Sequence, residues 1–338
     1  MASDHQTLEQ RSGVVDITLI VCTYNRCSSL AKTLEIIAAS KVPNSIAWEI
    51  LVVDNNSTDE TRSVVAYLGR RFPGRFRYVF EGQQGLSCAR NRGIRESTGE
   101  ILVFTDDDVT AEPDWLWNLT SELRGGEWAG AGGQITPLWS GPPPKWVLTT
   151  DTNITGPYAV FNMGPEPVEL KRPPYGANMA FRREMFARYG DFRVDLGRSG
   201  TNLQGREEVE FANRLLAAGE RLRYEPRAVI YHTIPRCRMC KRYVLKWWYW
   251  YGRSEIAESG PPKSRWVVCG IPLAFLRRVL RWAAQSVFST DRQRLSCQIF
   301  VFYIAGMAVA CYELSRSGNV RMASLSGVAG THIKGAPE

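Results

Sequence analysis

The sequence predicts an α/β fold, a doubly wound and mostly parallel sheet, continued by a helical and basic C-terminal extension. Short, nearly continuous apolar runs alternate with helix-spaced segments through the first half of the chain, the pattern of parallel strands covered by helices on both faces. Runs of this kind end in polar clusters at residues 23–26, 54–57 and 106–108, and open α/β sheets bind ligands beyond the carboxyl ends of their strands. Charge is unevenly divided: residues 236–338 hold 16 Lys+Arg against 5 Asp+Glu, and the remainder holds 26 against 29. The basic surplus belongs to the tail and points to an anionic partner there, lipid headgroups or nucleic acid.

Residues 16–22 (DITLIVC) form a β-branched first strand, and Ser28 precedes a helix over 30–40 with Leu30, Leu34, Ile37 and Ala38 at helical spacing. Residues 48–53 make the second strand, closed by Asp54, and a helix over 59–72 follows with Ser57 or Thr58 as its cap. A third strand (77–80), a helix (87–97, stopped near Gly99), a fourth strand (101–105) and a helix (114–123) complete the alternation. Nine of the 18 prolines then crowd residues 136–175. That stretch reads as a loop region flanking the active site, partly a lid, or as a variable surface excursion. A helix returns over 207–218, followed by two short strands at 222–224 and 229–231.

With 44% hydrophobic and 22% charged residues, the composition is globular and the length suffices for one large domain plus an appendage. Residues 1–14 read as a disordered start without secretory signal or anchor, which places the catalytic part in the cytosol. Eight scattered cysteines suggest no disulfide framework. Cys237 and Cys240 lack the second pair that a structural zinc site uses. In the tail, 242–251 concentrates aromatics beside basic residues, and 275–288 sets Arg277, Arg278 and Arg281 against Leu276, Val279, Leu280 and Val287. Such basic amphipathic elements suit the headgroup level of a bilayer. Residues 295–312 carry no charge, close to the ~20 residues of a membrane span. They fit an interfacial or re-entrant segment, a buried core helix, or a crossing.

The chemistry-bearing residues gather at the strand ends. Asp106, Asp107 and Asp108 close a hydrophobic strand. Adjacent carboxylates repel unless a cation neutralises them, and a hard divalent ion, Mg2+ or Mn2+, bridging them to a diphosphate meets that need. The plain alternative is a solvated acidic loop. Asp54 can accept hydrogen bonds from a base or ribose, or can cap a turn. Thr23, Tyr24, Asn25 and Arg26 follow the first strand without the glycines of a dinucleotide turn, and Tyr24 offers a stacking face instead. Residues 85–93 open a helix whose N-terminus is polarised positive, and Arg90 adds a fork suited to phosphate.

TYNR (23–26), DNNSTDET (54–61), GLSCARNRGI (85–94) and TDDDV (105–109), in this order and spacing, resemble the nucleotide-binding half of the family 2 glycosyltransferases, over about residues 16–245. The resemblance implies the GT-A type of fold, a nucleoside diphosphate sugar donor and inversion at the anomeric carbon. By matching motifs it implies that Tyr24 and Asp54, with Thr23, Asn25, Arg26 and Asn55 beside them, hold the nucleotide. It implies Arg90 near the base or phosphates. Asp106 and Asp108 become the outer members of a D-x-D motif, with Asp107 between them on the donor side and Asp108 as the direct metal ligand. Residues 175–182, with Asn178, resemble the family segment beside the donor sugar. Residues 205–211 (GREEVEF) resemble the G-x-E-D-x-E segment, with Glu208 where Asp is commoner, its carboxylate one methylene further out. Glu208 is the implied general base and Glu207 the lesser candidate on the donor side. His232 is an implied metal or pyrophosphate contact. Without the resemblance, Glu207, Glu208 and Glu210 read as an acidic first helical turn and His232 as a core histidine.

The expected reaction is a single in-line displacement. Glu208 takes the proton of an acceptor hydroxyl as its oxygen attacks the anomeric carbon, through an oxocarbenium-like transition state. The expected organisation is a glycosyltransferase domain over 15–235, a helical, membrane-associating region over 236–320 and a flexible tail over 321–338. The chain would then work on the cytoplasmic face of a membrane, contacting it through residues 242–312. Its hydroxyl acceptor would be a lipid-linked glycan in surface polysaccharide or glycolipid assembly, with no nucleic acid as partner. A nucleotidyltransferase that makes sugar nucleotides is disfavoured by the lack of glycine at 23–30. A non-catalytic sugar-nucleotide binding module is disfavoured by the intact Asp106, Asp108 and Glu208.

Overall fold

The predicted alternation forms, with element boundaries moved by a few residues at most: β1 (Ile17–Thr23), α1 (Cys27–Ala38), β2 (Trp48–Asp54), α2 (Thr61–Arg71), β3 (Phe76–Phe80), α3 (Leu86–Glu96) and β4 (Ile101–Thr105). The computed structural model describes residues 15–200 and 202–317; the stretches expected to be disordered at 1–14 and flexible at 321–338 lie outside the described residues. The four strands pair in parallel in the order β3-β2-β1-β4. β1 and β2 are buried almost throughout, because parallel strands covered on both faces have no solvent side to make polar. Leu30, Leu34 and Ile37 supply the buried face of α1.

The second half is mixed. It comprises β5 (Val109–Ala111), α4 (Trp115–Thr120), β6 (Gly130–Trp139), α5 (Thr152–Thr155), β7 (Val168–Leu170), β8 (Asn178–Arg182), α6 (Arg183–Tyr189), α7 (Glu207–Ala217) and β9 (Leu222–Ile234). β8 joins β4 antiparallel, β6 joins β8 antiparallel, and β9 runs parallel to β6. β5 and β7 pair antiparallel with the two ends of β9. The two strands expected at 222–224 and 229–231 are one strand of 13 residues. Its ladder jumps between Gly133 and Gln134, whose partners are Glu225 and Val229. Pro226, which cannot donate a ladder hydrogen bond, sits in that bulge.

The proline-rich stretch 136–175 is only in part a surface excursion. β6 runs into it, and Val147, Ile154, Tyr158, Phe161 and Leu170 are buried. Val147, Ile154 and Tyr158 share one hydrophobic cluster with Ile234, Val244, Trp248, Leu295 and Ile299, so this segment underlies the C-terminal helices. Those helices are α8 (Lys241–Ser259), α9 (Leu273–Val287) and α10 (Asp291–Ser317), with a hairpin of β10 (Val267–Val268) and β11 (Ile271–Pro272) before α9. α8 and α10 touch backbone to backbone: a Cβ on Gly252 would run into the carbonyl of Tyr303, and one on Gly306 into that of Tyr249.

Phe104, Phe181, Phe186, Phe192 and Phe211 form an aromatic cluster, with Phe186 and Phe211 stacked at 4.4 Å and the other pairs tilted or edge-on. Such pairs each add about 0.5–1.5 kcal/mol beyond their area burial. Phe104 lies just before Asp106, and Phe211 lies one turn beyond Glu207 and Glu208. The cluster therefore fixes the end of β4 relative to the start of α7.

Candidate active site

The parallel register of β1 and β4 sets Val21 against Thr105, which carries the residues after both strands to one place. Thr23 Oγ1 donates to Asp107 Oδ2 (2.6 Å), and Arg26 Nη1 donates to Asp107 Oδ1 (2.9 Å) and Asp108 Oδ2 (3.0 Å). Thr33 Oγ1 donates to the backbone carbonyls of Asp107 and Val109. The turn of three carboxylates is thus clamped by β1, the residues after it and α1. Burial pushes the Asp107 carboxyl up to about 6 against the Arg26 guanidinium.

β9 brings His232 opposite Val109. Asp106, Asp108 and His232 offer ligand atoms that all lie within 4.8 Å of one another. His232 Nε2 is 3.2 Å from Asp108 Oδ1, and Arg238 Nη1 is 3.7 Å from Asp108 Oδ2. Burial opposes ionisation of Asp108, yet the contact with His232 and the charges of Arg26 and Arg238 hold its carboxyl below the usual carboxylate range. Burial also opposes the charged form of His232, and Asp108 outweighs it, raising the imidazole. His232 Nδ1 is buried without a hydrogen-bond partner among the described residues, and Asp108 Oδ1 has only the His232 Nε2 contact at 3.2 Å. Leaving a buried polar atom unsatisfied costs about 1–3 kcal/mol, and coordination by a cation removes that cost. Two carboxylates and an imidazole are donors that a divalent ion such as Mn2+ or Mg2+ accepts.

Along the sheet, Asp54 faces Thr23 in register. Asp54 Oδ1 accepts from the Ser57 N–H (2.9 Å) and Oδ2 from the Tyr78 hydroxyl (2.8 Å). Asn25, at φ 51°, accepts from the Thr58 N–H (2.8 Å), and its own N–H donates to Ser57 Oγ (2.9 Å). Asn55 Oδ1 accepts from the Gly85 N–H (2.8 Å), and Nδ2 donates to the Gln83 carbonyl (2.7 Å). The Tyr24 ring is 40% exposed. A cleft of about 370 Å³ opens beside these groups, lined by Arg26, Cys27, Asp59, Asp108, Thr233 and Arg238 among others.

Arg90 is buried. It donates to Glu207 Oε1 (2.6 Å) and the Gly176 carbonyl (3.3 Å), and lies 3.9 Å from Asp106 Oδ1. One guanidinium therefore joins α3, the segment before β8, the acidic turn and α7. Burial, reinforced by the Glu208 charge, pushes Glu207 up to about 7 against Arg90. Glu208 is half-buried, and its Oε2 has no hydrogen-bond partner among the described residues. Asn178 is fully buried: Nδ2 donates to the carbonyls of Gln134 and Ala228, and Oδ1 accepts from Trp115 Nε1. Its amide fastens β6, β9 and α4 together.

Sequence reasoning missed Tyr78, which holds Asp54, and Arg206. Arg206 is buried at φ 77°. It donates to the Tyr251 hydroxyl (2.5 Å), pairs with Glu258, and lies 3.8 Å from Glu255, which accepts from the Tyr303 hydroxyl (2.7 Å). Its partners stand 45 and 52 residues away in sequence, a distance at which local patterning carries no signal.

The family model described as glycosyl transferase family 2 matches residues 18–190. The succinoglycan biosynthesis protein ExoM of Rhizobium meliloti is 31% identical over 231 residues, covering 68% of this chain and 71% of that protein. The glucosyl-dolichyl phosphate glucuronosyltransferase of Haloferax volcanii is 27% identical over 260 residues, covering 71% and 76%. Among solved structures, the mannosyltransferase PcManGT from Pyrobaculum calidifontis, in complex with GDP-Man and Mn2+, aligns with a TM-score of 0.52 at 19% identity, covering 92% of this chain and 77% of that one. At that identity the likeness is one of fold.

Proposed function

The chain belongs to glycosyl transferase family 2, and from that premise we propose that it moves a sugar from a nucleoside diphosphate donor to a hydroxyl of a lipid-linked glycan, with Glu208 as the general base and inversion at the anomeric carbon. The observation that carries this reading is the buried Arg90 bridge, which joins the acid pair of α7 to the Asp106–Asp108 turn in one site.

In this reading Tyr24 stacks on the base, and Asp54, Asn25 and Asn55 line the nucleotide. The diphosphate lies toward Arg26 and Arg238. Asp106, Asp108 and His232 would hold a divalent ion, whose charge, when bound, offsets that of the departing diphosphate. The naming of Mn2+ with the mannosyltransferase supports testing Mn2+ before Mg2+. Glu208 accepts the proton of the acceptor hydroxyl while the new carbon–oxygen bond forms and the bond to the diphosphate breaks. Arg90 keeps Glu207 turned inward, leaving Glu208 to face the acceptor. A lipid-linked acceptor is supported by the name of one relative, which speaks of a glucosyl-dolichyl phosphate, and the other, which speaks of succinoglycan biosynthesis, supports polysaccharide assembly. The glycosyltransferase region is then 15–235, and 236–320 contacts the cytoplasmic face of a membrane through residues 242–312, without nucleic acid.

The test is thermal stabilisation by a panel of nucleoside diphosphates and their sugars, with and without Mn2+ or Mg2+, since a ligand of the native state raises its stability. One base is expected to give a metal-dependent shift that Asp108→Ala abolishes, and Glu208→Gln is expected to bind the donor normally but lose at least about a hundredfold in turnover. Near-normal turnover by Glu208→Gln would remove Glu208 from the role of base.

A further inference from the structure

α9 carries two apolar stripes, and the fold covers one of them. Phe275, Val279 and Trp282 pack toward α10; Phe275 is buried and Trp282 stacks on Phe300 at 4.5 Å. At about 100° per residue, Leu276, Leu280, Ala283 and Val287 form a second stripe rotated about 100° from the first. Leu276, Leu280, Val287 and the following Phe288 are 40%, 70%, 70% and 90% exposed. Arg277, Arg278 and Arg281 continue around the helix beyond that stripe, all exposed. The hairpin just before α9 exposes Trp266, Val267 and Val268 as well. The Leu273 N–H donates to the Trp266 carbonyl (2.9 Å), which fastens this strand to the start of the helix. Lys263 and Arg265, also exposed, precede it.

Soluble surfaces seldom leave so many large apolar side chains in one region. Beside a band of cations, the surface matches the edge of an anionic bilayer. Apolar side chains enter below the headgroups, and guanidinium groups stay at the phosphates. The competing membrane element is α10, since Gln293–Ser317 is long and apolar enough to cross. Leu295, Ile299, Ile304 and Cys311 of that helix are already buried, and Gly306 is in backbone contact with α8. A crossing by α10 would have to break this bundle or take α8 and α9 into the hydrocarbon with it.

We propose that Trp266 with β10 and the outward stripe of α9 dock the chain on one leaflet of an anionic bilayer, while α10 stays inside the bundle that carries them. The inference rests on the membrane-surface reading above and narrows its contact from 242–312 to 263–288. The test is co-sedimentation of the full chain with phosphatidylcholine vesicles, with and without phosphatidylglycerol, at low and high salt. Transfer to a water-soluble acceptor is assayed alongside. Wild type is expected to prefer anionic vesicles by at least about tenfold, weakening with salt. Leu280→Glu/Val287→Glu/Phe288→Glu should lose binding by about a hundredfold or more. Arg277→Gln/Arg278→Gln/Arg281→Gln should lose the anionic preference. Both variants keep wild-type transfer to the soluble acceptor, so a failed docking surface and a failed enzymatic reading give different results. Unchanged vesicle binding by the glutamate variant overturns the proposal. So does a wild-type dimer that this variant converts to monomer with no vesicle binding in either. Wild-type protein that resists extraction from membranes by high salt and alkaline carbonate overturns the placement of α10.

Discussion

Replacing Arg206 with methionine removes the pin between the start of α7 and the C-terminal bundle. Its guanidinium pairs with Glu258, and the two side chains are 5% and 9% exposed; it also reaches Tyr251 and lies near Glu255. Removing one partner of a buried pair costs about 3–5 kcal/mol, because the other charge stays buried and uncompensated. The left-handed backbone at φ 77° is as unfavourable for Met as for Arg, so that strain leaves the difference unchanged. Urea unfolding should therefore show a loss of about 3–5 kcal/mol for Arg206→Met, and a smaller loss for Arg206→Met/Glu258→Met, which strands no charge. Glu207 and Glu208 follow directly in sequence, so kcat should fall as well; a displacement of about 1 Å at a reacting group is enough for a hundredfold. Arg206→Lys keeps the charge without the planar fork and should fall between. If Arg206→Met unfolds within about 1 kcal/mol of wild type and keeps its kcat, the pin does not hold the acid helix and the reasoning fails.

Other outcomes follow from the same contacts. Glu207 is raised from 4.5 to about 7 in the folded chain. A raised carboxyl favours the native state fully below its unfolded value and progressively less as pH climbs through the folded one. Stability should therefore decline between about pH 4.5 and 7 more steeply in wild type than in Glu207→Gln, as read by urea unfolding across that window; parallel profiles would refute the assignment. Gly306→Leu would force α8 and α10 apart at the Tyr249 carbonyl. It should cost at least about 1–3 kcal/mol, seen as a lowered Tm; an unchanged Tm would mean that the crossing is loose.

β1, β2 and β4 were legible because strands buried on both faces write unbroken apolar runs into the sequence. β6 was not, since GAGGQITPLW mixes glycine and proline with few apolar residues and reads as a turn. β8 (NMAFR) is too short and too evenly buried to alternate. β9 looked like two strands because Pro226 falls in its bulge. In the site, Asp54, Asp106–Asp108 and the acid pair of α7 could be found by motif. The Arg26 clamp and the Arg90 bridge join residues 81 and 117 positions apart, and such pairings leave no periodic trace in a sequence. His232 reaches Asp108 only because β9 pairs with β5, a strand of three residues.

The geometry also gives a reason for the spacing of the acidic motif. Asp107 is buried in the turn, where Thr23 and Arg26 occupy both its oxygens, and Asp106 and Asp108 are the two carboxylates that gather with His232. Arg90 stands 2.6 Å from Glu207 and 3.9 Å from Asp106. Coulomb energy at fixed dielectric falls as the inverse of distance, so Glu207 takes the larger share of its charge and Asp106 the smaller. The same logic divides the acid pair. Neighbours on a helix diverge by about 100°, so Arg90 holds Glu207 inward through its Oε1, and Oε2 of both Glu207 and Glu208 has no hydrogen-bond partner among the described residues. Glu208 is the more accessible of the two, half-buried where Glu207 is buried, and an acceptor hydroxyl has to come within hydrogen-bond reach of the carboxylate that takes its proton. This is the physical ground for proposing Glu208 over Glu207 as the base.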